Sequence, residues 1–363
     1  ADSVDQLDAD YLSMLGRAQV AAGDDQAAIE YFRQGVAQIP DDESVRLALA
    51  ATYLKTNQAD QAISVLDQMP IHAGSELRRQ TVLIAALIRQ GDNERAIAES
   101  RKLIDANPND PSAHVVAGAL WQSINEEERA ERAYERALEL DQDNLSAQFS
   151  LSRIALDRGD SVMAASRLQK LLKSHPAYVP ALVALGIVFQ DVGSLESLRP
   201  YVEEAMASAP DSVVPHIIMA RLELAIGRPD EAISVVDAAS TTFDGNPDLD
   251  RLRGLALIAK GDFQAALRSL MTAAAAAPNN AGIQFDLAQA QLANEYYDAA
   301  RGPATVLCEL MPDDVRCPIL LGDVELAHGN GGADGGSTEG DLMLKFLGKA
   351  LNDGRRRDEA FTA

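Results

Sequence analysis

Five histidines and two cysteines are the residues best suited to metal binding or nucleophilic chemistry in this chain, and their spacing supports neither. His72, His114, His175, His216 and His328 never pair at i, i+4, and no H-E-x-x-H occurs, so the helical zinc-ligand pattern is missing. Cys308 and Cys317 do not form a C-x-x-C pair. They flank the turn Met311-Pro-Asp-Asp-Val315, which leaves two readings open. One is a disulfide across the turn, which favours an oxidising compartment such as the periplasm; the other is a pair of free, buried thiols. In the stretch His328 to Asp341, six of fourteen residues are Gly, yet Asp334 stands where G-x-G-x-x-G, counted from Gly329, needs its last Gly. That stretch follows a helical pattern rather than a strand and reads as a loop. With no P-loop, no nucleophile elbow and acidic residues spread over outward faces, the expectation is a non-enzyme with no cofactor and no metal.

The wider composition narrows the class. Against 32 Lys plus Arg stand 55 Asp plus Glu, a formal charge of −23 over 363 residues. Nucleic acid and anionic membrane surfaces both select clustered positive charge, so neither is an expected partner. Hydrophobic residues make up 47% and aromatics 5%, with Ala and Leu, both strong helix formers, dominating. No apolar run reaches the ~18 residues of a membrane span; the most apolar stretch, Val179 to Phe189, is too short. The start, Ala1-Asp2-Ser3-Val4-Asp5, is unlike a signal peptide and reads as processed or cut from a longer chain.

The elements that must position any site follow from a repeat. Ala28, Ala62, Ala96, Ala130, Ala164, Leu198, Ala232, Ala266 and Ala300 are spaced by 34 residues. Five residues before each stand Gly23, Asn57, Gly91, Asn125, Gly159, Gly193, Gly227, Gly261 and Glu295, mostly residues that tolerate the left-handed conformation ending a helix. Twelve residues after each, six of nine positions are Pro: Pro40, Pro108, Pro176, Pro210, Pro278 and Pro312. The pattern predicts paired amphipathic helices that bury their apolar faces only by stacking on neighbours.

Period and signature resemble the tetratricopeptide repeat (TPR). The fourth unit carries Ala117-Gly118, Trp121, Ala130, Tyr134 and Ala137; the first carries Leu15-Gly16, Ala28, Phe32 and Pro40. The resemblance implies an all-α, right-handed superhelical solenoid of about nine to ten helix-turn-helix units. The expected division is a lead-in at 1–8, nine contiguous units over 9–314, a degenerate tenth unit at 315–352 with a Gly-rich insert at 329–340, and a disordered tail at 353–363. Pro70 is expected to shorten its helix, Pro200 to be harmless if in a first turn, and Gly302-Pro303 to kink or delay a helix.

In TPR proteins the first helices line a concave groove. Carried onto this chain, the resemblance implies a partner-binding groove that includes Arg17, Leu47, Val115, Phe149, Arg153, Val183, Ile217, Arg221, Arg251 and Phe285. An apolar strip with scattered Arg suits an extended peptide or a partner helix. The Lys and Asn pattern of chaperone-tail-binding relatives is missing. The phrases Asp10-Tyr11-Leu12, Leu15-Gly16-Arg17-Ala18-Gln19, Ala22-Gly23-Asp24 and Leu103 through Pro111 are similar to the TPR lipoproteins of bacterial exosortase/PEP-CTERM systems, which accompany exopolysaccharide export. This implies a protein-binding scaffold in the periplasm or cell envelope, serving exopolysaccharide export or surface-protein sorting, with any lipid anchor in an upstream region. The alternative is a cytoplasmic regulatory module of a larger signalling protein.

Overall fold

The computed structural model describes residues 9–69, 76–312, 314 and 316–330. Among the described residues the secondary structure is helical, with no strand. The chain divides into two compact units, Ala1–Arg167 and Leu168–Ala363. The first holds the hairpins α1 (Ala9–Ala22) with α2 (Asp25–Gln38), α3 (Glu43–Lys55) with α4 (Ala59–Asp67), α5 (Glu76–Gln90) with α6 (Asn93–Ala106) and α7 (Pro111–Ser123) with α8 (Glu127–Leu140). It also holds α9 (Leu145–Asp157); the division falls inside α10 (Ser161–Ser174). The second unit continues with α11 (Val179–Asp191), a 3-10 turn (Leu195–Leu198) running into α12 (Arg199–Ser208), and α13 (Val214–Ala225) with α14 (Pro229–Ser240). It closes with α15 (Pro247–Lys260) and α16 (Phe263–Ala276), α17 (Ala281–Ala293) and α18 (Tyr297–Leu310), and α19 (Arg316–Asn330). First helices also pack on the next first helix: α3 on α5 and α5 on α7 in one unit, α13 on α15 and α15 on α17 in the other.

Local chemistry explains where the helices stop and start. All nine residues of the Gly23-to-Glu295 column have positive φ, including Asn57 at 60°, Asn125 at 61° and Glu295 at 61°. The next residue's N–H reaches back to close each first helix, as in Gln58 N to Tyr53 O at 2.7 Å and Tyr296 N to Gln291 O at 2.8 Å. Asp24, Asp42, Asp92, Asp110, Asn144, Asn246, Asp262 and Asn280 then cap the following helices through side-chain oxygens. Cations ending a first helix meet acids opening the previous repeat's second helix, as Lys55 does Asp25 at 2.7 Å and Lys260 does Asp230 at 2.5 Å. Each charge also complements its helix dipole.

Packing within a hairpin is a matter of matched volumes. The Ala28-to-Ala300 column is fully buried, at 0% exposure throughout. A second contact pairs a first-helix residue with one sixteen positions later: Gly16 with Phe32, Gly118 with Tyr134 and Gly254 with Leu270; the same spacing relates Ala50 to Leu66 and Ile84 to Ser100. In four of these pairs a large second-helix residue goes with Gly or Ala, and in the fifth Ile84 goes with Ser100; at the same spacing Leu168 goes with Ser152. A Cβ on Gly16 would lie 2.5 Å from Phe32 Cε1, and one on Gly254 2.6 Å from Leu270 Cγ. Close packing leaves no slack at these points.

The expected irregularities resolve differently. α4 stops at Asp67 after nine residues; Pro70 itself lies outside the described residues. Pro200 falls in the first turn of α12, and the segment before it is the 3-10 turn, with bulky Leu198 buried where other repeats carry Ala. Pro303 does not delay its helix: α18 runs Tyr297–Leu310 with Pro303 inside. An interior Pro forfeits a backbone bond and costs about 3 kcal/mol, which the burial of Ala300, Ala304 and Leu307 on one face offsets. α19 extends to Asn330, two residues into the segment 329–340 expected to be the insert. The lead-in at 1–8, the rest of that insert, the remainder of the expected tenth unit to 352 and the tail at 353–363 lie outside the described residues.

Candidate partner-binding groove

His114, His216 and the two cysteines are structural in their contacts. His114 Nε2 lies 3.0 Å from the Pro108 carbonyl. Arg46, Gln148 and Gln284, in the same repeat column, donate to the carbonyls of Pro40, Gln142 and Pro278 at 2.5, 2.6 and 2.8 Å. His114 therefore performs a job that Arg and Gln perform elsewhere: it satisfies the turn carbonyl six residues back. His216 sits in that column too, but its Nδ1 is 3.2 Å from Ser212 O and its ring meets the edge of Phe243. Among the described residues no group of His, Cys, Asp or Glu is placed to hold a metal. Cys308 and Cys317 are joined by a disulfide, with a Cα–Cα distance of 5.1 Å, that ties the end of α18 to the start of α19.

In the first unit the first helices enclose a groove of about 800 Å³. It brings together Arg17, Leu47 and Val115 of the expected set, with Ala51 and Thr81 beside them. Leu47 and Val115 are half-buried and packed against core residues, so their outer faces line the groove while their inner faces hold it. Two further columns line it that the expected set does not include. Ser44, Arg78, Ser112 and Ser146 recur every 34 residues, as do Ala48, Val82 and Val116. The same period that located the helices was the signal for both. Arg17 Nη2 donates to Ser44 Oγ at 2.8 Å. Phe149 and Arg153 do not line this groove; Phe149 is half-buried and Arg153 exposed.

The second unit uses its expected groove residues differently. Arg251 Nε donates to Asp286 Oδ2 at 2.6 Å, bridging α15 to α17. A Cβ on Gly282 would lie 2.8 Å from Arg251 Nη1, so that glycine clears the guanidinium's path. Burial pushes the Asp286 carboxyl above the ordinary carboxylate range, against the pull of Arg251. Burial, with the adjacent Arg251 charge, lowers the half-buried Arg221 guanidinium from its usual value. Arg316 lies over the Phe285 ring at 5.4 Å. Val183 and Ile217 are half-buried. In this unit Arg251 and Phe285 are engaged by neighbouring first helices.

No helix among the described residues is long and apolar enough to cross a membrane. Among curated proteins, the chain is 28% identical over 362 residues to the cellulose synthase operon protein C of Xanthomonas axonopodis pv. citri (strain 306), covering 91% of this chain and 23% of that protein. It is 25% identical over 199 residues to the human protein O-mannosyl-transferase TMTC3, covering 50% of this chain and 22% of that one. The chain thus spans less than a quarter of the length of these relatives. Among solved structures, yeast Tom70 aligns with a TM-score of 0.49 at 15% identity, covering 97% of this chain and 90% of that one. The peptide-binding TPR protein YrrB aligns at 0.37 and 23% identity, covering 50% and 93%. Tetratricopeptide-repeat profiles match residues 19–86, 127–179, 218–281 and 251–314. Together with the helix hairpins and their 34-residue register, these matches show that the chain belongs to the tetratricopeptide repeat family.

Proposed function

We propose that the chain is a non-catalytic scaffold of the bacterial cell envelope, which binds a protein partner in the groove of its first unit during exopolysaccharide export. One observation carries the binding role: the first helices leave a groove of about 800 Å³ whose aliphatic walls are backed by the core. A wall held from behind offers apolar contact area without first having to be ordered, which reduces the entropic cost of binding. The scaffold role agrees with the repeat family.

The envelope assignment draws on two supports. The similarity to cellulose synthase operon protein C covers nearly the whole chain. The Cys308–Cys317 disulfide suits an oxidising compartment and disfavours the cytoplasmic adaptor alternative. The narrower idea of surface-protein sorting in an exosortase system rests on the repeat phrasing alone.

Affinity capture from a bacterial envelope extract, with the chain as bait and a Leu47→Glu/Val115→Glu variant as control, tests the reading. A polysaccharide-assembly protein retained by the wild type and lost by the variant is the expected result. Capture that is equal with both baits would move the site out of the groove.

A further inference from the structure

The charge of the groove runs against the charge of the chain. The molecule carries 55 acidic and 32 basic residues, yet among the described residues lining the first unit's groove none is Asp or Glu, and two are Arg. Those two, Arg17 and Arg78, are exposed and form no ion pair with a described residue. Arginines on the second helices behave otherwise: Arg95 meets Asp67 at 2.6 Å and Arg136 meets Glu139 at 2.6 Å. In the first unit most second-helix cations meet an acid in this way, Arg101 being an exception, whereas neither groove arginine does so among the described residues. Ser44 holds the Arg17 guanidinium by one N–H, leaving its other donors available.

We infer that the groove of the first unit takes an extended peptide that alternates apolar side chains with carboxylates. Leu47, Val82 and Val115 receive the apolar positions, and Arg17 and Arg78 pair with Glu or Asp of the partner. Guanidinium and carboxylate match in planar, two-point geometry, and partial enclosure by the groove limits solvent screening. A polysaccharide is the poorer fit. Among the described residues of the lining Phe32 is the one aromatic and is 1% exposed, so none of them offers an aromatic face for a sugar ring to stack on. The inference rests on the groove reading above and adds the chemistry of the partner.

Fluorescence anisotropy of the full chain with three labelled peptides of about ten residues tests it. Each has Leu at alternate positions; the intervening residues are Glu, Gln or Lys. The Leu/Glu peptide is expected to bind at least about tenfold more tightly than Leu/Gln, with Leu/Lys weakest and the advantage shrinking as salt rises. Arg17→Ala/Arg78→Ala removes that advantage, so that Leu/Glu and Leu/Gln bind alike; Arg17→Lys/Arg78→Lys keeps most of it.

Equal affinity for Leu/Glu and Leu/Gln, or a preference that survives the double alanine variant, would overturn the charge assignment. So would no measurable Leu/Glu binding up to about 1 mM. A polyglucuronate that binds more tightly than the Leu/Glu peptide would overturn the peptide assignment. Leu47→Glu/Val115→Glu separates the two levels. Loss of the Leu/Gln peptide upholds the groove whatever the charge result, whereas unchanged Leu/Gln binding removes the groove reading and this inference with it.

Discussion

A Cβ placed on Gly118 would sit 2.6 Å from Cε1 of Tyr134, closer than any real side chain tolerates. The ring cannot retreat, because Tyr134 is 2% exposed and its hydroxyl donates to Gln122 Oε1 at 3.2 Å. Gly118→Ala should therefore lower stability, since overpacking of about 1–3 kcal/mol exceeds the ~1 kcal/mol that Ala gains as a helix former. Gly118→Ala/Tyr134→Leu recreates the Ala50 and Leu66 pair of the second repeat and should recover part of the loss. Thermal unfolding by circular dichroism reads both; a single variant as stable as wild type would contradict the volume-matching account.

Glu295 is the lone residue of its column that is neither Gly nor Asn, and it holds φ at 61°. Its side chain is exposed. Left-handed backbone costs a residue of this type about 1–2 kcal/mol, of which Gly's larger unfolded entropy returns about half. Glu295→Gly should thus raise the melting temperature slightly, while Gly261→Ala, at φ 83°, should lower it. The reverse order in the melting curves would contradict the assignment.

That left-handed column was legible from sequence because one period placed every member, even Glu295. So was the buried small column, and so were the places where helices end. What sequence hid were contacts between residues of unlike type or distant position. The work of His114 was hidden because nothing in one histidine shows that Arg46, Gln148 and Gln284 do the same. Arg251 looked like a free groove cation because Asp286, 35 residues on, supplies its partner only after α15 and α17 pack. Arg78 was missed because its column varies in type along the chain, from Ser44, Ser112 and Ser146 to Pro180, Asp248 and Gly282, so no shared residue marks it.

Glu223 is fully buried in α13, and Arg199 Nη2 lies 2.6 Å from its Oε1, yet off the axis of a good hydrogen bond, so both carboxylate oxygens lack a well-directed donor. Removing the cation should be worse than removing the acid. Arg199→Ala strands a buried charge, a loss of about 3–5 kcal/mol, whereas Glu223→Gln leaves an arginine that is 29% exposed and can turn to water. Urea unfolding of the two variants checks the order; equal losses would mean that the pair interacts as a surface bridge does.

The disulfide closes a short loop, with its cysteines nine residues apart. Loop-closure entropy assigns it about 2–3 kcal/mol. Reduction should therefore raise amide exchange in α18 and α19 while leaving α1 through α8 unchanged, as read by hydrogen-exchange mass spectrometry. Uniform protection before and after reduction would contradict a structural role for the bridge.

Hydrogen bonding to Arg316 holds the Asp314 carboxyl below the usual carboxylate range. A depressed acid stabilises the fold above its unfolded pKa, and that contribution is lost as pH falls through the folded value. Asp314 also accepts from the Arg316 N–H at 2.8 Å, at the start of α19. The melting-temperature gap between wild type and Asp314→Ala should be largest near pH 7 and shrink towards about pH 3. A gap that widens on acidification would contradict the ion-pair assignment.

Site-specific photo-crosslinking in a bacterial envelope tests the central claim most directly. A crosslinking residue at Ala51, exposed on the groove wall, is compared with one at Glu135, exposed on α8 away from the groove. The groove scaffold predicts that a polysaccharide-assembly protein is captured from position 51 and lost when Leu47→Glu/Val115→Glu is added. Capture from position 135 with none from position 51 would contradict it.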